Sequence, residues 1–281
     1  MKLFDSHCHL QDPRILARAP RLIELASNHG VVRFAVNGVH EKDWYLVKQM
    51  SEDFPCTVPN FGLHPWYVLD RSPDWFKTLK QLFEVTPTAA VGEIGLDKGS
   101  HGKKIDFDDQ VQVFERQLEL AKELNRPASV HCVRAFADVL GIMKSVGPFP
   151  CGVVLHSYLG SAEMVPQFAE LGAYFSFSGF LMSMKESKAK RMLKAVPPER
   201  ILLESDAPDA LPKSELEPLI PLDSDSGSRE ESSSSDISGT ESLNHPANVR
   251  PVLSYVARLL EMSTEELADR SYENAMRVFS F

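Results

Sequence analysis

Long apolar runs are missing from this chain of 281 residues, and cysteine is scarce. No stretch of about 18 apolar residues exists to span a membrane, and residues 1–7 lack the apolar segment of a secretory signal. We therefore expect no membrane association. The four cysteines form no CxxC pair and no disulfide-framework spacing, which favours reduced thiols in an intracellular protein, cytoplasmic or nuclear.

A surplus of basic residues is also missing, since 30 Lys and Arg stand against 39 Asp and Glu and give a net charge of −9. A broad basic surface for nucleic acid is therefore not expected. Much of the acidity is local, because residues 213–243 contain two basic and eight acidic residues. The rest of the chain has a net charge of only −3, so basic groups near a cleft can still receive a phosphate.

The acidic stretch 213–243 is also rich in serine, with four in a row at 232–235, and has few apolar residues to bury. This composition predicts a mobile, disordered insert, because little burial is available to offset the entropy lost on ordering. A regulatory insert is the alternative interpretation, since serines beside acidic residues suit acid-directed phosphorylation.

Strand-like and helix-like apolar periods alternate through the remainder of the chain. Eight strand-like runs separated by helical spacing predict a single α/β domain over residues 1–281, folded as a (β/α)8 TIM-like barrel. An open doubly wound sheet is the competing architecture, but it gathers its ligand at one switch point, whereas here polar residues end many strands. The motif Ser263-x-x-Glu266 predicts a capping box that opens one more short helix.

Histidines and carboxylates stand at the ends of six predicted strands. Such groups are costly when they converge on one barrel mouth unless something neutralises them, and a divalent metal ion does so. The donor types suit Zn²⁺, Mn²⁺ or a similar ion, and a carboxylate between two clusters can bridge two ions. The candidates, in chain order, are His7, His9, His64, Glu93, His131, His156 and Asp206.

These residues lie in the motifs His-x-His, Gly-Leu-His-Pro, Gly-Glu-Ile-Gly-Leu-Asp, His-Cys, His-Ser-Tyr and Glu-Ser-Asp-Ala-Pro, in that order. With this series the chain resembles the TatD-related deoxyribonuclease family, within the amidohydrolase-like metal-dependent hydrolases. The resemblance runs from Phe4 to Ala275. It implies a metal-dependent nuclease on a (β/α)8 barrel, with DNA, or else RNA, as its substrate.

The resemblance also implies the roles of single residues. Two divalent ions, of Mg²⁺, Mn²⁺ or Zn²⁺, would share Glu93 as a bridge, with the further ligands His7, His9 and Asp206 for one ion and His131 and His156 for the other. Glu93 and Asp206 would be the catalytic carboxylates, and Asp206 would accept the proton of the attacking water. His64 would contact the substrate phosphate.

Some neighbouring positions have two interpretations each. Arg134 is a candidate phosphate fork or a surface arginine at the start of a helix. Glu204 either orients a metal ligand or is a buried structural carboxylate. The cationic residues of the loop 98–104 either steer nucleic acid or are simply solvated. This loop lacks the aromatic residue that often follows Asp97 in the family, so base stacking is not predicted there.

The leading hypothesis is a deoxyribonuclease, specifically a 3′-5′ exonuclease that uses two metal ions and a water. A small-molecule amide or ester hydrolase is the alternative, because the same barrel and ligands serve that chemistry in the wider superfamily. Many amide hydrolases bridge their metals with a carbamylated lysine, whereas the fourth strand offers Glu93 and no lysine. A binding protein without catalysis ranks last because all six ligand candidates are present, and no obligate protein partner is evident.

Overall fold

Eight parallel strands form the centre of the structure, a computed structural model that describes residues 1–222 and 243–280. Each strand is hydrogen-bonded to the next in chain order. The strands are β1 (Leu3–Cys8), β2 (Val31–Asn37), β3 (Thr57–Phe61), β4 (Ala90–Asp97), β5 (Ala128–Val133), β6 (Val153–Leu155), β7 (Ala173–Phe177) and β8 (Ile201–Leu203). The chain after β8 returns to the end of β1, where Asp206 N donates to His7 O at 2.9 Å. The predicted (β/α)8 barrel is confirmed, and the open sheet is excluded.

Helices follow the strands and surround them. Within the described residues they are α1 (Ala19–Asn28), α2 (Glu41–Asp53), α3 (Trp75–Val85), α4 (Phe107–Glu123), α5 (Phe136–Val146), α6 (Val165–Glu170), α7 (Glu186–Ala195), α8 (Val249–Leu260) and α9 (Thr264–Phe279). Side-chain caps begin some of them, as where Asp106 accepts from Asp109 N at 2.9 Å. No helix of the described ranges is long and apolar enough to cross a bilayer.

The last helix, α9, closes the amino-terminal end of the barrel. As predicted, Ser263 caps it by accepting a hydrogen bond from Glu266 N at 3.1 Å. The predicted short length is wrong: the helix has 16 residues, because its apolar face continues to Phe279. Phe279 stacks on Phe4 with ring centroids 5.3 Å apart. The same cluster contains residues of six further strands, namely Ala35, Val58, Ala90, Val154, Tyr174 and Leu202. The barrel is therefore filled at this end, and polar side chains gather at the other.

The predicted insert, 213–243, falls mainly on residues 223–242, which lie outside the described residues. Its first part, 213–222, contacts the barrel. Glu217 accepts hydrogen bonds from Arg250 Nε at 2.8 Å and from Ser254 Oγ at 2.7 Å, both on α8. The carbonyl of Ile220 accepts from His245 at 2.7 Å. The segment thus leaves the mouth along α8.

Candidate metal centre

The candidate ligands meet at the carboxyl ends of the strands, where barrel enzymes place their active sites. Glu93 reaches this point because β4 and β5 approach closely beside it. Gly95 pairs with His131 in the register of these strands. Its φ of 147° lies in the region that favours glycine, and a Cβ there would collide with the His131 carbonyl. A glycine two residues after Glu93 therefore brings the Glu93 and His131 side chains together.

One oxygen of Glu93 faces the first histidine pair. Glu93 Oε2 lies 3.3 Å from His7 Nε2 and 3.3 Å from His9 Nε2. The two Nε2 atoms are 3.2 Å apart. The pairing of β1 with β2 shifts register between Asp5 and Cys8, and both imidazoles point to the same carboxylate, as the His-x-His spacing predicts.

The other oxygen of Glu93 faces three histidines from three different strand ends. Glu93 Oε1 lies 3.0 Å from His131 Nδ1, 3.0 Å from His156 Nε2 and 3.3 Å from His64 Nε2. The Glu93 carboxylate is only 3% exposed. Its two oxygens therefore divide the imidazoles into two sets.

Asp206 lies on the same side as Glu93 Oε2. Its Oδ1 is 3.7 Å from His9 Nε2 and 3.9 Å from His7 Nε2, and its backbone adopts a left-handed φ of 53° in the turn after β8. Its Oδ2 lies 3.4 Å from Ser157 Oγ. Asp206 Oδ1 therefore faces the histidine cluster while Oδ2 faces the Ser157 hydroxyl.

Three of the histidines are hydrogen-bonded through the ring nitrogen that points away from Glu93, and His156 has a carboxylate near that nitrogen, an arrangement typical of metal-binding imidazoles. The partners are Ser129 Oγ at 2.9 Å for His7, Asn37 O at 2.8 Å for His9, Asp97 Oδ2 at 3.2 Å for His131, and Glu204 Oε1 at 3.4 Å for His156. Carbonyl and carboxylate oxygens only accept hydrogen bonds. The nitrogens of His9 and His131 that face Glu93 therefore carry the lone pair in the neutral ring.

His64 differs from these four. Its Nδ1 accepts a hydrogen bond from Trp66 N at 3.1 Å, so the proton of the neutral ring lies on Nε2, which points at Glu93. Burial lowers the pKa of His64 to about 4, which keeps the ring neutral. His64 is therefore arranged as a hydrogen-bond donor into the cluster.

Burial and mutual charge perturb the protonation of the whole cluster. Burial alone would raise the pKa of Glu93, but the surrounding imidazoles, that of His64 foremost, hold it well below its usual range. Burial raises the pKa of Asp206 to about 7 and lowers that of His7 to about 4. Burial also opposes the charge on His9, but Glu93 raises its pKa to about 9. Carboxylates and imidazoles thus compete for protons in one buried space.

The donors present fit a divalent cation. Outward-fixed imidazoles with inward lone pairs, together with carboxylates, are the ligand set that Zn²⁺ and similar ions take. Three groups among the described residues have ligand atoms within 4.8 Å of one another: His7 with His156 and Asp206, His7 with His9 and Glu93, and His64 with Glu93 and His131. All three groups lie in the one cluster predicted from the strand ends.

The outlying candidates lie at the rim. Arg134, just after β5, is exposed with a left-handed φ of 55°, and within residues 1–222 and 243–280 it has no ion pair. Lys98 donates to Asp138 at 2.6 Å and lies over the Phe107 ring, so its charge is already partnered. His101 packs against Trp66 with ring centroids 4.5 Å apart and the two rings tilted by 31°. Lys98 and His101 of this loop therefore have partners, while Lys103 and Lys104 are exposed.

Sequence reasoning missed Asp97 as a functional residue. Its Oδ2 accepts from His131 Nε2 and from Trp66 Nε1, the latter at 2.5 Å. Glu93 and Asp97 are four residues apart on one strand, which places them on the same face. That alternation was the available signal, and in the structure the two carboxylates contact different nitrogens of the His131 ring, Glu93 at Nδ1 and Asp97 at Nε2.

A (β/α)8 barrel with buried histidines and carboxylates at its mouth defines a metal-dependent hydrolase. The family model "TatD related DNase" matches residues 4–280. The chain belongs to this family, as its motif series predicts.

Relatives over the full length agree with this class. A Bacillus subtilis protein named as the uncharacterized metal-dependent hydrolase YabD is 31% identical over 277 residues, 99% of this chain and 98% of the other. A Pantoea vagans protein named as the 3′-5′ ssDNA/RNA exonuclease TatD is 25% identical, covering 99% of both chains. A human protein named as a deoxyribonuclease is 26% identical over 99% of this chain and 94% of its own.

Solved structures show the same fold. The TatD homologue YjjV of Escherichia coli superposes with a TM-score of 0.82 at 24% identity, over 99% of this chain and 98% of the other. A TatD-family hydrolase of Entamoeba histolytica gives a TM-score of 0.83 at 18% identity, over the same shares. At these identities the likeness concerns the barrel and its strand order.

Proposed function

We propose that this hydrolase is a deoxyribonuclease that removes nucleotides from the 3′ end of DNA, with RNA as a second substrate, and that it binds two divalent ions, Mg²⁺, Mn²⁺ or Zn²⁺. The observation that carries the proposal is the division at Glu93, whose two oxygens face two separate sets of imidazoles. The exonuclease and deoxyribonuclease names of two relatives support the phosphodiester substrate.

We assign each ligand to an ion according to the Glu93 oxygen that it faces. His7, His9 and Asp206 would hold one ion, His131 and His156 would hold the other, and Glu93 would be the ligand they share. Two such ions, when bound, would stabilise charge on the attacking and leaving oxygens and lower the pKa of the attacking water. Asp206 would accept the proton of that water, because its Oδ1 is directed at the cluster while its Oδ2 faces Ser157.

His64 and Arg134 bind the phosphate. The proton that His64 carries on Nε2 points into the cluster, which suits a non-bridging phosphate oxygen. Arg134 stands exposed at the end of β5, three residues after His131, and presents a planar fork that matches phosphate geometry. An intracellular location, cytoplasmic or nuclear, belongs to the same proposal, and the four free cysteines support it.

The test is a metal-dependent cleavage assay on single-stranded and duplex DNA and RNA labelled at the 5′ end. We expect a ladder of shortened labelled products with Mg²⁺ or Mn²⁺, since a 3′-5′ exonuclease leaves the label on the shrinking strand. His131→Ala and Asp206→Asn should each reduce the rate at least about 100-fold, the order of effect expected for groups that hold or activate the nucleophile.

His29→Ala is the matched control, because His29 follows α1 away from the cluster, and it should keep the wild-type rate. Wild-type rates in both His131→Ala and Asp206→Asn would refute the ligand assignment. Immediate release of the labelled nucleotide would refute the polarity. Hydrolysis of amide or ester substrates in place of nucleic acid would establish the alternative function.

A further inference from the structure

Trp66 is an exposed aromatic residue at the edge of the metal centre. It lies in the 3-10 turn after β3 and is 39% exposed, whereas Trp44 and Trp75 are 0% and 5% exposed. Its ring centroid lies 5.0 Å from that of His64 and 6.2 Å from that of His131. An indole is costly to leave in water without a partner, and this one borders the residues that face Glu93.

The indole is held in a fixed orientation. Its Nε1 donates to Asp97 Oδ2 at 2.5 Å, and the same oxygen lies 3.2 Å from His131 Nε2. Asp97 is itself 3% exposed. The Trp66 ring is therefore locked at its edge to the carboxylate that orients His131, and a locked ring loses little freedom when it binds a ligand.

His101 packs against this ring at a tilt. It comes from the loop after β4, is exposed, and lies with its ring centroid 4.5 Å from that of Trp66 at an interplanar angle of 31°. We call these two rings the Trp66–His101 pair. Exposed aromatic side chains bind unpaired nucleobases by stacking, and they do so with little preference for sequence because every base has a flat face.

We propose that the Trp66–His101 pair is the stacking site for the base of the nucleotide that is removed, an inference that rests on the proposed nuclease function. A base is joined to its phosphate through one sugar, so a terminal nucleotide whose phosphate lies at Glu93 places its base beside the rings that border the cluster. The pair selects an unpaired terminal nucleotide of any base. Its contribution is to substrate binding, while the chemical step belongs to the metal centre.

The test compares two 5′-labelled single strands that differ only at the 3′ terminus, one ending in thymidine and the other in a tetrahydrofuran residue without a base. The wild-type protein should cleave the thymidine end about tenfold or more faster in kcat/KM, mainly through KM, as expected for one stacked base. Trp66→Ala should bring the ratio of the two kcat/KM values close to one. The ratio is the readout, because the variant also removes the N–H donor to Asp97 and so changes both rates together. Trp66→Phe, which keeps a flat ring but loses the N–H group, should retain most of the preference.

Tyr45→Ala is the matched control, an aromatic on α2 that is 63% exposed, and it should keep the full preference.

Binding is measured separately by tryptophan fluorescence, since Trp66 is the exposed tryptophan of the three. A thymidine oligomer should quench it and a base-free oligomer of equal length should not. An unchanged preference in Trp66→Ala, or an equal loss on both strands, would overturn the proposal. If the wild type cleaves neither strand, the nuclease function fails and the quenching result alone decides the stacking site.

Discussion

Single residues at the barrel mouth are fixed at one ring nitrogen and face Glu93 with the other. For His156 the fixing group is Glu204, a carboxylate with no solvent exposure. Glu204 Oε1 is 3.4 Å from His156 Nδ1 and accepts from Ser157 Oγ at 2.7 Å. Burial opposes its charge, but His156 lowers the pKa of Glu204 below its usual value. The geometry favours the orienting role over that of a purely structural carboxylate.

The change Glu204→Gln tests this choice. It keeps the size of the side chain but removes the negative charge beside His156, and such changes next to a metal ligand typically weaken metal affinity about 10- to 100-fold. We expect that loss in a Mn²⁺ titration. Glu261→Gln, an exposed carboxylate paired with Lys190 and Lys194, should titrate like the wild type. A variant that is less stable to heat but binds Mn²⁺ normally would identify Glu204 as structural.

The candidate ligands were predictable because each stands at the end of an apolar run, and parallel strands bring such ends together. The contacts between loops were not. Trp66 and Asp97 are 31 residues apart and join only because the turn after β3 leans over the end of β4. Lys98 was predicted to be an unpaired cation. In the structure its charge is paired with that of Asp138, which lies 40 residues later in the first turn of α5. No local pattern contains either pairing.

Among the secondary-structure elements, the alternating strand and helix periods of the sequence predicted all eight strands. They did not predict how the amino-terminal end of the barrel is closed. Strand ends alone do not show which helix fills the amino-terminal opening. In α9, Ala275, Val278 and Phe279 pack into it against the strand residues. The capping motif at Ser263 located the start of this helix, and tertiary packing set its length.

Phe279→Ala should therefore destabilise the protein without altering the site. Phe279 is 5% exposed and stacked on Phe4, and truncating a buried phenylalanine costs about 3–5 kcal/mol. For a chain of this size we expect the melting temperature to fall by roughly 10 °C, with kcat unchanged at temperatures where the variant is folded. Thermal unfolding beside Tyr45→Ala, expected within about 0.5 kcal/mol of wild type, measures this. A loss of kcat at an unchanged melting temperature would contradict the assignment of stability to the α9 end of the barrel and of activity to the opposite end.

The whole molecule thus has an apolar end closed by α9 and a polar end that gathers charge. The polar end concentrates buried imidazoles and carboxylates that burial and mutual charge drive away from their usual pKa values. An ion that binds this end of the folded protein, and does not bind the unfolded chain, also stabilises the fold. We propose that Glu93 joins two metal sites at this end.

The most direct test is the number of Mn²⁺ ions retained per chain after loading and gel filtration, measured by elemental analysis of the wild type and of Glu93→Gln. We expect two ions in the wild type and at most one in the variant, because the amide that replaces the carboxylate supplies one weak donor oxygen in place of two charged ones. No retained ion in the wild type, or two in both proteins, would show that Glu93 does not join two metal sites.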